Sequence, residues 1–230
     1  IPFDHDQVQP ASIDLRLGDY AYPVGTSFLP GKGMKVLDKM KQLDEDYEKF
    51  KINLEDGAVL EKDRLYVIPL LETLDLQNTE IAGFANPKSS TGRLDILTRL
   101  ITDEGTAFDQ VIKGYKGNLY IEVAPRTFSI VVRTGDRLNQ LRFQRDRGAQ
   151  GTGISEGKWK EIITTQQIIR IENKDDEKRL CAETGMLPFT IDLRNTGVDG
   201  DLIGYRAKRH TPRIDLARME YDPADFWEGI

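Results

Sequence analysis

A mainly β fold, built as a sandwich or a barrel, is predicted for this chain by two observations. Between residues 57 and 143, short apolar runs alternate with turn residues. Glycines and prolines separate these runs at short intervals, so each run has the length of a strand rather than that of a helix. Short strands joined by tight turns favour a sandwich or barrel over a parallel α/β sheet.

The first predicted element is a strand at residues 10–18, in which polar and apolar residues alternate. Asp14 and Arg16 share one face of it, which we interpret as a polar strand face rather than a catalytic one. Residues 36–51 carry apolar side chains at helical spacing and predict a short amphipathic helix. Further strands are predicted at residues 59–60, 65–71, 81–85, 94–101, 119–123, 128–132, 138–143 and 162–172.

The composition limits the classes of partner. The 230 residues are 39% hydrophobic and 30% charged, which is typical of a soluble globular protein. The formal charge of −6 argues against a general nucleic-acid surface, which needs a basic face. Because no apolar run approaches the roughly 20 residues that cross a bilayer, we expect no membrane contact.

The ligand-forming side chains argue against a protein-bound metal or a disulfide. Cys181 is the single cysteine, so no internal disulfide can form, which fits a cytoplasmic location. His5 and His210 are far from Cys181 and from each other in sequence, so a zinc site is not expected. The chain begins at Ile1 without a signal-peptide pattern, and we expect a trimmed N-terminus.

Residues 86–93, Asn-Pro-Lys-Ser-Ser-Thr-Gly-Arg, are the strongest candidate for an anion site. Lys88 and Arg93 bring two positive charges to a short loop, and Ser89 and Ser90 bring two hydroxyls. Such a loop can offer hydroxyls, backbone N–H groups and charge to one phosphate. The alternative is a solvated turn with scattered charges.

Glu122 stands out in the predicted strand at residues 119–123, because Leu119, Ile121 and Val123 point to one face while Tyr120 and Glu122 point to the other. A carboxylate there either faces solvent or serves chemistry, and strand statistics favour solvent. The Gly-rich residues 147–155 form either a lid or a linker, and we favour the linker.

An internal repeat suggests a second domain. Residues 188–194, Pro-Phe-Thr-Ile-Asp-Leu-Arg, repeat the pattern of residues 10–16, Pro-Ala-Ser-Ile-Asp-Leu-Arg. We interpret this as a tandem duplication. The predicted organisation is a first copy at residues 1–172, a linker at 173–185 and the beginning of a truncated second copy at 186–230, as part of a longer chain.

In combination, these segments resemble the dCTP deaminases of the dCTP deaminase/dUTPase superfamily, in their long two-copy bacterial form. The resemblance rests on residues 9–18, 57–61, 70–73, 88–93 and 115–117, together with Gly-Asp-Arg-Leu-Asn-Gln at 135–140. It implies a dUTPase-like distorted jelly-roll β-barrel that forms homo-oligomers, usually trimers, with active sites between subunits.

The resemblance also implies deamination of dCTP to dUTP and ammonia without a protein-bound metal or cofactor. Glu122 matches the catalytic glutamate, whereas dUTPases have a non-acidic residue there. Ser89 would hold the attacking water, and Arg93 would stabilise developing charge.

The remaining implied roles concern nucleotide binding. Lys88, in place of the family's more usual arginine, and Ser90 would hold phosphates, with Mg²⁺ arriving on the triphosphate. Tyr115 and Gln140 lie in segments that carry base and sugar contacts. Asp109 is the acid nearest to the family's sugar-binding aspartate, although Ile112 occupies that register.

Two alternatives to deamination remain open. One is hydrolysis of dUTP by a diphosphatase, alone or after deamination in a bifunctional enzyme. The other is a non-catalytic module that binds nucleotides for regulation.

Overall fold

The computed structural model of the chain describes residues 4–145, 155–165, 175 and 204–230. Residues 4–145 and 204–230 belong to one compact unit, and residues 155–165 and 175 belong to a second. The repeat at residues 188–194 and nearly all of the Gly-rich run lie outside the described residues. The predicted domain boundaries therefore stay a prediction.

The described part of the chain is mainly β, which confirms the predicted fold class. The strands are Ile13–Arg16 (β1), Tyr20–Val24 (β2), Ile52–Asn53 (β3), Ala58–Leu60 (β4), Leu65–Asp75 (β5), Ile81–Pro87 (β6), Ile96–Thr102 (β7), Gln110–Val111 (β8), Lys116–Pro125 (β9), Ile130–Val132 (β10), Arg137–Arg145 (β11), Tyr205–Ala207 (β12), Ile214–Asp215 (β13) and Trp227–Gly229 (β14). The α-helices are Val36–Leu43 (α1), Ser89–Arg93 (α2) and Glu156–Thr165 (α3), and short 3-10 helices cover His5–Gln7, Tyr47–Phe50 and Pro223–Asp225.

Two antiparallel sheets carry the candidate site. One has the strand order β3-β2-β5-β9-β7, and the other has the order β1-β11-β6-β8. Leu15 and Leu141 of the second sheet pack in one core with Leu100 and Ile121 of the first. Each sheet therefore buries its hydrophobic face in this shared core. None of the described helices is long and apolar enough to cross a membrane.

The opposite face of the larger sheet is covered as well. Val36 and Met40 of α1 pack in a second apolar cluster with Val67, Ile101 and Tyr120 of strands β5, β7 and β9. Because of this second layer, side chains on both faces of β9 are buried from Leu119 onward. This burial determines the environment of Tyr120 and Glu122.

The predicted helix at residues 36–51 is shorter than expected. α1 ends at Leu43, and Asp44 has an extended backbone. The Asp44 carboxylate accepts a hydrogen bond of 2.9 Å from the backbone N–H of Asp46. Such a local side-chain bond competes with the helical pattern, so the chain turns before the short 3-10 helix at Tyr47–Phe50.

The strand predicted at residues 162–172 is wrong for its described part, because α3 extends through residue 165. Trp159 and Ile163 are buried, and their spacing of four residues is that of one helix face. The strand prediction missed this spacing. Residues 166–172 lie outside the described residues.

Residues 204–230 contribute to the main core. β13 pairs in parallel with β10, while β12 and β14 pair antiparallel with each other. Phe226 and Trp227 place their rings edge-on against Phe128, at centroid distances of 5.6 and 5.3 Å. The C-terminal segment is thus held by apolar contacts as well as by backbone pairing.

A bidentate ion pair adds a charged contact to this segment. Arg133 donates from Nη1 to Asp215 Oδ1 at 2.6 Å and from Nη2 to Oδ2 at 2.9 Å. The Arg133 guanidinium lowers the pKa of Asp215 from its ordinary value of 3.8 to about 2. The folded state therefore binds the proton less readily than the unfolded state does.

We expect this pair to stabilise the fold above pH 3.8 and to lose its contribution as the pH falls to about 2. Asp215→Asn should lower the free energy of unfolding at pH 6, and the difference from the unchanged protein should shrink across that window. Urea unfolding from pH 6 to pH 2 measures it. As a control, Glu228→Gln breaks the exposed pair with Arg206 and should have little effect. A difference that stays constant with pH would contradict the prediction.

Candidate active site

Glu122 lies in the middle of the five-stranded sheet. β9 is flanked by β5 and β7, and Glu122 stands opposite Val67 on one side and Arg99 on the other. Its side chain is only 1% exposed. The solvent-facing alternative is therefore wrong, because the layer that includes α1 covers the face where Tyr120 and Glu122 point.

Arg99 is the charged partner of Glu122. It donates from Nε at 2.8 Å and from Nη2 at 2.5 Å, and both bonds go to Oε1 of Glu122. The same Nη2 donates to Ser27 Oγ at 2.7 Å, and the guanidinium stacks on the ring of Phe108 at 3.9 Å. Hydrogen bonding, charge and stacking thus hold one guanidinium in place.

The second carboxylate oxygen of Glu122 has a different environment. Oε2 is buried, and it has no hydrogen-bond partner among the described residues. Leaving a buried polar atom unpaired costs about 1–3 kcal/mol, and more when the group is charged. An oxygen kept in this state is a candidate acceptor for a water molecule or a substrate group.

Asp109 lies near this ion pair and also joins the two sheets. Its Oδ1 accepts from the backbone N–H of Leu100 at 2.8 Å, and its own N–H and C=O bond to Leu100 and Ala85. Its backbone has φ 60°, which aspartate tolerates. The pKa of Asp109 is raised, chiefly by burial and also by the nearby Glu122 carboxylate. The hydrogen bond from Leu100 and the charge of Arg99 oppose this shift.

The predicted phosphate loop forms a single helical turn that follows strand β6. β6 ends at Pro87, and α2 spans Ser89–Arg93. Ser89, Ser90 and Arg93 are exposed. A cavity of about 340 Å³ lies beside this turn and is lined by Ser90 and Arg137, among others. The loop therefore presents both hydroxyls and one guanidinium to the outside of this chain.

Lys88 differs from its neighbours in the loop, because its ammonium group forms an ion pair with the buried carboxylate of Asp14. Gln140 lies beside this pair, since it stands opposite Asp14 in β1 and opposite Asn86 in β6. Its Oε1 accepts from Ser12 Oγ at 3.0 Å. The structure thus places Lys88 and Gln140 on either side of Asp14, at the end of β6, and their contact with a nucleotide stays a prediction.

The polar face of β1 is buried rather than solvated. Arg16 donates from Nε to Glu72 Oε1 at 2.8 Å and from its backbone N–H to Oε2 at 2.8 Å. Gln7 also donates to Glu72 Oε1 at 2.8 Å. This network fixes β1 to β5 and so supports the strand that carries the partner of Lys88.

Tyr115 is committed to the backbone. Its hydroxyl donates to the carbonyl of Asn118 and accepts from the N–H of Asp103. Burial raises the pKa of Tyr115. A β-carbon at Gly117 would lie 2.7 Å from this hydroxyl, so a larger residue there would displace the Tyr115 side chain. In this chain Tyr115 braces the turn before β9.

The predicted site residues thus form two groups. Glu122 lies close to Asp109, while Ser89, Ser90 and Arg93 lie in α2, directly after Lys88 and the end of β6. Within the described part of the chain, no hydrogen bond or ion pair joins Glu122 to Ser89 or Arg93. Likewise, no cluster of three or more His, Cys, Asp or Glu residues suited to a metal ion is present in the described ranges.

Sequence reasoning missed Arg99. The signal was available, because Arg99 is a charged residue inside the apolar run Ile-Leu-Thr-Arg-Leu-Ile at residues 96–101. A charge in such a run is buried against a partner or exposed at an edge. Its partner Glu122 could not be identified without the pairing of β7 with β9.

Comparison with known protein families identifies two adjacent domains of one family in this chain. A family profile for the 2′-deoxycytidine 5′-triphosphate deaminase N-terminal domain matches residues 1–147, and one for the C-terminal domain matches residues 155–230. The crystal structure of 2′-deoxycytidine 5′-triphosphate deaminase from Agrobacterium tumefaciens is 41% identical, with a TM-score of 0.81. The match covers 100% of this chain and 62% of that one, so this chain spans less than two thirds of its relative.

A second solved structure, the native EIAV dUTPase, is 16% identical with a TM-score of 0.34. That match covers 46% of this chain and 81% of the dUTPase. A similarity at this level supports no conclusion about function.

Proposed function

Because the chain belongs to the 2′-deoxycytidine 5′-triphosphate deaminase family, we propose that it hydrolyses dCTP to dUTP and ammonia. The observation that carries the proposal is the state of Glu122, which is buried and fixed through Oε1 but unpartnered at Oε2. A carboxylate held in this way can take a proton from a water molecule placed next to it.

In the proposed reaction, Glu122 deprotonates water, and the water oxygen forms a bond to C4 of the cytosine ring. Glu122 then passes this proton to N3 and carries the proton of the new C4 hydroxyl to the amine, so that the C4–N bond breaks, ammonia leaves and C4 becomes a carbonyl. The net change is the exchange of the amino group for an oxygen, and no redox partner is needed. General acid–base catalysis of this kind contributes about 10²–10⁴-fold in rate.

Residues of α2 would supply the polar contacts to the reacting centre. Ser89 would hold the attacking water, and Arg93 would stabilise the negative charge that develops near it. Donors of this type are worth about 3 kcal/mol in the transition state. The exposure of both residues leaves them accessible to a ligand from outside this chain.

Nucleotide binding would use the remaining predicted residues. Lys88 and Ser90 would contact the phosphates, with Mg²⁺ bound to the triphosphate as part of the substrate. Asp109, Gln140 and Tyr115 would shape the base and sugar site. Because Lys88 pairs with Asp14, a phosphate would have to share its ammonium group with that carboxylate.

We propose a homo-oligomer, with a trimer as the specific form. Ser89 and Arg93 are exposed, and among the described residues neither bonds to Glu122, which fits a site assembled from two subunits. Sedimentation of the purified protein, with and without dCTP, measures the number of subunits. A cytoplasmic location is part of the same proposal.

The test is incubation of the purified protein with dCTP and Mg²⁺, followed by measurement of ammonia, dUTP and pyrophosphate. Equal amounts of ammonia and dUTP are the expected result. Ammonia with dUMP and pyrophosphate would indicate the bifunctional enzyme, and release of pyrophosphate from dUTP alone would indicate a diphosphatase. Tight binding of dCTP in calorimetry without any product would overturn catalysis in favour of the regulatory module.

A further inference from the structure

We propose that Arg99 is a positioning residue for Glu122, holding Oε1 so that Oε2 is the oxygen that accepts the proton from water. This inference rests on the proposed deamination and assigns a role to a residue outside the predicted site. Arg99 acts through Glu122 in this account and does not itself contact the reacting atoms.

The backbone brings the two side chains together. Arg99 and Glu122 are directly opposite each other in the antiparallel pair of β7 and β9, so both point to the same face of the sheet. The neighbour of Glu122 on the other side, Val67, is apolar and offers no competing bond. Arg99 is therefore the cross-strand residue that can orient this carboxylate.

The guanidinium is itself immobilised before any substrate arrives. Its stacking on Phe108 fixes the plane of the group, and the bond from Nη2 to Ser27 Oγ fixes its rotation within that plane. A planar fork held in this way transmits its geometry to the bonded oxygen more strictly than a flexible ammonium would. The Arg99 side chain is still 29% exposed, so it lies between solvent and the buried acid.

The pattern of hydrogen bonds separates this pair from a structural ion pair in the same fold. Arg133 gives one N–H to each oxygen of Asp215, which satisfies the whole carboxylate. Arg99 instead directs Nε and Nη2 to the same oxygen of Glu122 and leaves Oε2 unpartnered among the described residues. A pair that served stability alone would gain by bonding both oxygens. The asymmetry points to a reserved acceptor.

The experiment compares Arg99→Gln and Arg99→Lys with Arg133→Gln as the matched control, because Arg133 also forms a forked, partly exposed ion pair. In Arg99→Gln, kcat for dCTP should fall by about 30- to 100-fold while KM changes by less than about threefold, since a misplaced catalytic group slows chemistry more than binding. Arg99→Lys keeps the charge but not the fork, and should recover only part of the loss. Arg133→Gln should lower the Tm and leave kcat unchanged.

The outcomes separate this inference from the proposed function. If the unchanged protein does not deaminate dCTP, the proposed function fails; if it does and Arg99→Gln keeps its kcat, the positioning role alone fails. A rise in KM at constant kcat would likewise overturn it, because Arg99 would then bind substrate. If Arg99→Gln does not fold, Arg99→Lys decides: a kcat equal to that of the unchanged protein overturns the inference.

Discussion

Replacing Glu122 with Gln is expected to lower kcat for dCTP by about a thousandfold, within the range that general acid–base catalysis contributes. Glutamine has the same shape, and its amide oxygen can still accept the hydrogen bonds from Arg99. However, the amide NH2 group that takes the place of Oε2 cannot accept a proton from water. The variant should therefore bind dCTP with nearly unchanged affinity and turn it over very slowly.

Calorimetry with dCTP and Mg²⁺ measures the binding step, and the release of ammonia measures turnover. Glu228→Gln is the matched control, since it makes the same change in an exposed ion pair on β14 and should keep full activity. Turnover above about a tenth of the original rate in Glu122→Gln would be too large for a missing general base and would contradict its role.

Replacing Phe128 with Ala should have the largest effect on stability. Phe128 is 1% exposed and packs against the rings of Phe226 and Trp227. Removing a buried phenyl ring loses its transfer free energy and leaves a cavity, which together lower the free energy of unfolding by about 3–5 kcal/mol. Because these contacts hold the C-terminal segment, the loss should be greatest there.

Urea unfolding measures the total effect, and amide hydrogen exchange locates it. We expect the amides of β12 and β14 to exchange faster in Phe128→Ala than in the unchanged protein. Phe50→Ala is a suitable control, because Phe50 is 61% exposed and its replacement should change the free energy of unfolding only slightly. A loss below about 1 kcal/mol in Phe128→Ala would mean that the C-terminal segment does not depend on this packing.

The face of Glu122 was predictable from sequence, and its burial was not. Alternation along β9 places Tyr120 and Glu122 on one side, as the structure has it. Burial depends on a second layer formed by α1 and the residues near Phe28, which lie far from Glu122 in sequence. Strand statistics assume a sheet with one face exposed to solvent, so they predicted the wrong environment for Glu122.

The partners of the phosphate loop were also beyond the reach of sequence patterns. Lys88 and Asp14 are 74 residues apart, and their ion pair depends on β1 and β6 both pairing with β11. Tyr115 was predicted to contact the nucleotide because of the motif that contains it, whereas its hydroxyl bonds to two backbone groups. Motifs select the segments of the predicted site, but only the pairing of strands shows which atoms remain available.

The most direct test is a crystal structure of Glu122→Gln with dCTP and Mg²⁺, in which slow turnover should preserve the substrate. We expect an ordered water within about 3.2 Å of the residue 122 amide, with C4 of the cytosine on the other side of that water. We also expect the triphosphate to lie against Lys88 and Ser90 of the same or a neighbouring subunit. A cytosine ring bound away from residue 122 in every subunit would contradict the account.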